Sequence, residues 1–233
     1  MAGRSRWRQG ATRLSRRTLA ALVLFGATGV GLAACGGPYA YFGYTTSTGA
    51  HTYFKVPSNW KVLDTMQFLR LAEPNAPFST LYNDAQGQWV TVAVQPPGKL
   101  SSGNPFSTNH VVAIVWIRQL TPQQELSGYT AASLRGFFFG GTDPVADAEQ
   151  GDPAVQLVNE QSISAKGGLS GDQFTVILAN PNGGSSVEME QKGLLDQANG
   201  YIYVLGIGCS ESCFNANSRV IRTVVDSWHV EGS

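Results

Sequence analysis

No acidic residue precedes Cys35 in this chain of 233 residues, although the whole sequence balances 16 basic against 16 acidic side chains. The first 17 residues carry Arg4, Arg6, Arg8, Arg13, Arg16 and Arg17. An uncharged span of 17 residues then runs from Thr18 to Ala34. Basic residues, an apolar stretch and a small-residue cleavage site, in that order, make an export signal. The positive end stays in the cytoplasm and the rest is delivered outside. Once residues 1–34 are removed, 10 basic residues face 16 acidic ones, a net charge of −6. A chain without surplus positive charge is a poor partner for nucleic acid, and it has no general electrostatic grip on anionic headgroups.

Cysteine is scarce too: Cys35, Cys209 and Cys213 are the three. In an oxidising compartment the pair Cys209 and Cys213 is most simply a disulfide pinning a strand-to-helix turn. Two thiolates with His229 or His110 could instead hold metal, but the four-residue spacing is not that of a standard zinc half-site. No metal and no cofactor is expected. Leu32-Ala33-Ala34-Cys35 resembles the lipobox of bacterial lipoproteins, in which the cysteine thiol receives diacylglycerol and cleavage occurs just before it. Several acyl chains hold a protein to a bilayer where one does not. An uncleaved anchor helix is the competing reading. The glycines at 26, 29 and 31 weaken such a helix and leave the cysteine without purpose. Ser15-Arg16-Arg17-Thr18-Leu19 resembles a twin-arginine signal. It departs at Ala20, so the twin-arginine and general secretory routes both stay open.

The expected organisation is a signal over residues 1–34, a lipidated tether over 35–51, with a strand at Tyr39–Thr45, and one globular domain over 52–233. About 200 residues suit a single core. Tyr53–Val56 reads as a strand stopped by Pro57, with Trp60 returning to the interior, while Met66–Leu71 fits helix or strand. Gln88–Gln95 alternates as a strand does, and residues 96–109, rich in Pro, Gly, Ser and Asn, predict an exposed loop. Val111–Ile117 is a continuous apolar run, the mark of a central strand covered on both faces. Thr121-Pro122-Gln123-Gln124 opens a helix with a capping box. Leu126, Tyr129, Ser133, Leu134 and Phe137 extend its periodicity towards Gly140.

Residues 143–152 read as an acidic loop. A meander follows, with strands near 155–164, 173–179, 186–195 and 201–207. Its turns fall at Lys166-Gly167-Gly168, Asn180-Pro181-Asn182-Gly183 and Asn199-Gly200. Alternation in Val187-Glu188-Met189-Glu190 predicts that one face of that strand is wet. After Cys213 a helix carries Phe214, Val220, Ile221, Val224, Val225 and Trp228 on one stripe.

Together these elements describe an α+β protein: an α/β/α sandwich around a mainly antiparallel sheet. The chain resembles the PsbP-like fold over roughly residues 50–231. Three segments carry the likeness: Phe54-Lys55-Val56-Pro57-Ser58-Asn59-Trp60, Gly168-Leu169-Ser170-Gly171, and the ending Tyr201–Cys209, helix, Asp226-Ser227-Trp228-His229-Val230. That fold is shared by an extrinsic photosystem II subunit, a Ran-binding import factor and actinobacterial envelope lipoproteins. The resemblance implies a binding module rather than a chemistry.

Candidate sites compete with plainer readings. Gly208-Cys209-Ser210-Glu211-Ser212 nearly matches a nucleophile elbow, but Ser212 stands where glycine is needed. Asp226 and His229 would complete a secreted serine hydrolase, yet they lie at the far end of the final helix from Ser210. Asp143, Asp147, Glu149 and Asp152 could ligate calcium, though a solvated acidic loop is favoured. His51, His110 and His229 are scattered. Phe137-Phe138-Phe139 cannot all face one core, so one ring is a candidate contact patch or cavity lip. The reading favoured is a non-catalytic, lipid-anchored module on the outer face of the cell membrane. It would bind an envelope protein or a cell-wall or lipid component. The alternative is a carrier of an apolar ligand.

Overall fold

The structure is a computed structural model that describes residues 37–100, 104–164, 168–180 and 183–231. The described residues hold ten strands in two sheets. A seven-stranded sheet runs in the order β3 (Lys61–Leu63), β4 (Gln88–Val94), β5 (Val112–Gln119), β9 (Tyr201–Ser210), β8 (Val187–Asp196), β7 (Leu169–Leu178) and β6 (Val155–Ser164). Each neighbouring pair in it is antiparallel. A three-stranded sheet holds β2 (His51–Pro57) between β1 (Tyr39–Thr45) and β10 (His229–Glu231). β1 lies within the segment read as a tether, and its pairing with β2 from Tyr39↔Pro57 to Thr45↔His51 makes it part of the folded body.

The centre of the large sheet is β5 against β9. All ten residues of β9 are buried, as the apolar run of β5 anticipates for a strand covered on both faces. On one face, α5 (Glu211–Ser227) sets Phe214, Ile221, Val224 and Val225 against Ala113, Val115, Tyr203, Leu205 and Ile207. Phe54 and Val56 of β2 and the fully buried Trp228 complete that core. Each such apolar side chain contributes about 1.5–3 kcal/mol relative to exposure. The opposite face is covered by short elements: α1 (Thr65–Ala72), α2 (Phe78–Ala85), α3 (Pro122–Leu126), a 3-10 turn (Ala132–Leu134) and α4 (Pro144–Glu149). The expected sandwich around an antiparallel sheet is met.

Local readings fare unevenly. Thr121 caps α3 with Gln124 as its reciprocal partner, as the sequence requires, but the helix ends at Leu126. Gly128 turns there with φ +68°, and Leu126, expected on the inner stripe, is 84 % exposed. Met66–Leu71 is helical because Asp64 and Gln67 form a second capping box. Residues 143–152 are not a loop: Asp143 accepts hydrogen bonds from the amides of Val145 (3.0 Å) and Ala146 (3.2 Å) and so starts α4. In the 96–109 stretch the described residues form neither helix nor strand, but Phe106 is buried. Of the hairpin turns, residues 165–167, 181 and 182 lie outside the described residues, and Gly200 takes the positive φ of +66° that its turn requires.

The three phenylalanines are all accommodated, because the turns after Leu134 aim them at different neighbours. Phe137 meets Trp116 edge-on at 5.4 Å, Phe138 meets Phe106 at 5.6 Å, and Phe139 tilts against Phe174 at 6.0 Å. None of them is an exposed patch. Phe138 needs Gly206 of β9: a Cβ there would come within 2.6 Å of its ring and 2.8 Å of the Met189 methyl. We therefore expect Gly206→Ala to lower stability by roughly 1–3 kcal/mol, the range for overpacking. Phe138→Leu in the same chain should return part of the loss in a double-mutant cycle read by denaturant unfolding. Gly171→Ala should cost more than Gly206→Ala, because its Cβ would meet the backbone carbonyl of Gly193 rather than side chains that can yield.

Candidate functional site

The strand expected to have a wet face has a half-covered one. Val187 and Met189 point into the core on the short-helix side. Glu188, Glu190 and Lys192 point towards α5, with Glu188 only 7 % exposed. The register aligns Glu190 with Thr175 of β7 and Asn159 of β6, and Lys192 with Gln173. α5 lies over β9 and β8 and stops short of β6, so Glu188, Glu190, Thr175, Gln173 and Asn159 floor a groove of about 290 Å³. Its wall is Phe214, Ser218, Ile221, Arg222 and Asp226 along the edge of the helix.

The groove's charges are mixed and mutually restrained. Burial holds the Glu190 carboxyl above the usual range and the Asp226 charge adds to this. A 2.6 Å hydrogen bond from Gln173 Nε2, and the charges of Lys192 and Arg222, work the other way. Burial likewise raises Glu188, with Glu211 and Glu190 reinforcing it. Lys192 is lowered by burial and partly restored by Asp226 and Glu190. Its ammonium donates to the Trp228 carbonyl at 3.2 Å and sits 5.4 Å from the indole centroid. Donors, carboxylates and apolar rim alternate over a few ångströms, which suits a polar ligand of mixed charge rather than a polyanion.

Cys35, Arg16 and Arg17 lie outside the described residues. Cys209, at the end of β9, and Cys213, in the first turn of α5, are brought together with Cα atoms 5.9 Å apart, inside the range a disulfide spans. Ser210 between them is 4 % exposed and occupies the N-cap position of α5. Its amide donates to the Thr108 carbonyl at 2.7 Å and its hydroxyl lies 3.5 Å from Ser212 Oγ. Asp226 and His229 are not brought to it: sixteen residues of mostly helical chain separate Asp226 from Ser210, about 24 Å at 1.5 Å per residue. His229 instead contacts the Ser227 carbonyl at 3.0 Å and the Tyr53 ring at 5.3 Å.

The four acidic residues weighed for calcium serve α4 and its neighbours. Asp143 is the cap, Asp147 is in the first turn, and Asp152 accepts from the Ala154 amide at 2.8 Å. Among the described residues no group of three or more His, Cys, Asp or Glu is arranged to hold a metal ion. His51 bonds Thr45 Oγ1 at 2.8 Å, and His110 is half-buried at the foot of β5. Sequence reasoning also missed a cluster around Arg135. Burial works against that guanidinium's charge, but Asp172 at 3.1 Å, Glu160, and Asp143 at 3.8 Å more than restore it. It ties the 3-10 turn and α4 to β6 and β7. The space between the sheet and α5, where an apolar cargo would sit, is filled by Phe214, Ile221, Val224, Val225 and Trp228, each at most 8 % exposed.

No family model matches the chain, and no curated protein does. Solved structures similar to it include cyanobacterial PsbP of Synechocystis, 17% identical with a TM-score of 0.44, covering 90% of this chain and 99% of that one. The Ran-binding protein Mog1p of Saccharomyces cerevisiae is 12% identical with a TM-score of 0.40, covering 81% and 94%. LpqN of Mycobacterium tuberculosis, described as involved in cell envelope biogenesis, is 13% identical with a TM-score of 0.38, covering 82% and 91%. No residue role is carried over from any of them.

A carboxyl whose folded pKa is raised binds its proton more tightly when folded than when unfolded. Stability therefore falls as pH rises from the unfolded carboxylate value through the folded one. We expect Glu190→Gln, which keeps an acceptor for Gln173, to be more stable than the parent above that window and indistinguishable below it. Urea unfolding across the acidic to neutral range measures this. A parent and variant that keep a constant difference at every pH would show that Glu190 is not the group responsible.

Proposed function

We propose that the chain is a lipid-anchored, extracytoplasmic lipoprotein whose single domain acts without catalysis, binding a protein or a cell-wall or lipid component of the envelope through the groove beside α5. The observation that carries the reading is Leu32-Ala33-Ala34-Cys35 at the end of an acid-free, arginine-led, uncharged span. Diacylglycerol on the Cys35 thiol, followed by cleavage before it, leaves the domain moored outside the membrane. The proximity of Cys209 and Cys213 supports the same compartment, where the pair would be oxidised. Support for a binding role comes from the mixed-charge groove. The distance between Ser210 and the Asp226–His229 end of α5 argues against acyl-transfer chemistry.

Metabolic labelling with radioactive palmitate should mark the parent and place it in the membrane fraction, with the mature terminus at residue 35. Cys35→Ala should lose the label and retain its leader. A parent without label, or a mature terminus mapped far from Cys35, overturns the anchor. The groove is tested separately by photo-cross-linking from position Ser218 in intact envelopes. One recurrent envelope component should be captured, and its yield should fall at least ten-fold in Arg222→Glu. Capture unaltered by that reversal would remove the groove from the binding role.

A further inference from the structure

The outward face of the three-stranded sheet carries a different pattern from the rest of the surface. Alternation turns Phe42 and Tyr44 of β1, Phe54 and Val56 of β2, and Val230 of β10 into the interior. The opposite set faces out: Tyr39 and Tyr41, His51, Tyr53 and Lys55, and His229. Tyr41 is 59 % exposed and Tyr53 41 %. Three of these rings, His51, Tyr53 and His229, stand in a row, and Lys55 sits over a fourth. Tyr53 lies 5.3 Å from the His229 ring and 6.2 Å from the His51 ring, and the Lys55 ammonium sits 5.2 Å from the Tyr39 centroid. Gly43, the cross-strand partner of Tyr53, leaves that ring uncovered: a Cβ there would lie 3.4 Å from it. Among the described residues of these strands the one outward carboxylate, Glu231, is 3.7 Å from His229 Nε2.

Rings with an apolar body and a polar edge, beside a lysine on a flexible stem, are the side chains that settle at a bilayer's headgroup layer. What covers this face follows from the chain that leads to it. β1 starts at Tyr39, four residues after Cys35. At no more than about 3.6 Å per residue, Tyr39 cannot lie farther than about 14 Å from an acylated Cys35. The headgroup layer of one leaflet is itself about 5–8 Å deep. So short a leash presents the first strand to the membrane. From this juxtaposition we infer that the outer face of β1, β2 and β10 is the surface the domain sets against lipid headgroups. The inference rests on the proposed acylation of Cys35. It adds an orientation: the body docks on the bilayer instead of swinging from its anchor.

The test is made on the full chain, exported and processed in a bacterial host, with benzoylphenylalanine in place of Tyr41, of Tyr53, or of Tyr82. Tyr82 is a comparably exposed tyrosine (54 %) on α2, on the opposite side of the large sheet. After irradiation of intact membranes, peptide masses report lipid adducts, and the terminal peptide in the same digest reports acylation. Lipid adducts at 41 and 53 at least ten-fold above those at 82 are expected. Equal yields at the three positions, or protein adducts in place of lipid at 41 and 53, with the terminal peptide acylated, overturn the docking face alone. An unacylated terminal peptide overturns the anchor, and the docking face with it.

Discussion

The pairing of β5 with β9 is the constraint from which the rest of the architecture follows. Eight register pairs, from Val112↔Gly208 to Gln119↔Tyr201, join two strands that are apolar on both faces. Backbone groups in such a place have no access to water, so each must be paired within the sheet. Two apolar faces must then be covered by something else. The chain supplies the two covers differently. One long helix and a small sheet close one side, while the other is closed by several short elements whose aromatic rings interlock, Phe106 with Phe138 and Trp116 with Phe137.

The groove is a consequence of widths. Seven strands at about 4.8 Å span roughly 29 Å, whereas a helix with its side chains is about 10–12 Å across. α5 covers β9 and β8, and the small sheet reaches β4, where Tyr44 stacks on Trp89 at 5.3 Å. Among the described residues part of the same face of β6 and β7 lies beyond the edge of the helix. Asn159 and Gln161 are exposed there and Gln173 is half-buried, whereas Thr175 is buried and Ile163 and Leu169 pack into the core. Glu190 and Lys192 stand half-buried at the boundary, and Glu188 is buried beside it. That position, rather than any one contact, moves their titration away from the ordinary range.

The same geometry explains what the sequence could and could not disclose. Alternation and turn residues located β6 and β1 at the bounds expected of them, because period-two patterning is a property of the strand itself, but β7 starts at Leu169 rather than 173 and β9 runs on to Ser210 rather than 207. The fate of Glu188 and Glu190 was not legible, since alternation says that a face is polar but not whether a helix overhangs it. The stripe Leu126, Tyr129, Leu134, Phe137 has helical period and is not one helix, because Gly128 at φ +68° interrupts it and tertiary packing takes up the rings one by one. Two helix starts do have a local signature. Asp64 with Gln67 is the same capping signature as Thr121 with Gln124, and Asp143 followed by Pro144 is an N-cap before a first-turn proline. The Arg135 cluster had no local signal at all, for its partners come from positions 143, 160 and 172.

The groove and the outer face of the small sheet are linked through the end of α5. The helix finishes at Ser227, Trp228 buries its ring completely, and His229 enters β10 beside Tyr53. The Ser227 hydroxyl accepts from the Lys55 amide at 3.0 Å and donates to the Val224 carbonyl at 2.7 Å, so helix and small sheet share a hydrogen-bonded joint. On the other side of Trp228, Lys192 reaches its carbonyl from β8, two residues along the strand from Glu190 of the groove. One buried indole thus fixes the aromatic sheet and the polar groove relative to each other. Displacing the helix end would disturb both at once, because the buried Trp228 ring and the carbonyl that accepts from Lys192 belong to the same residue. An orientation imposed on the small sheet is therefore an orientation imposed on the groove. The proposed acylation of Cys35, four residues before Tyr39, would therefore constrain which part of its surroundings the groove can meet.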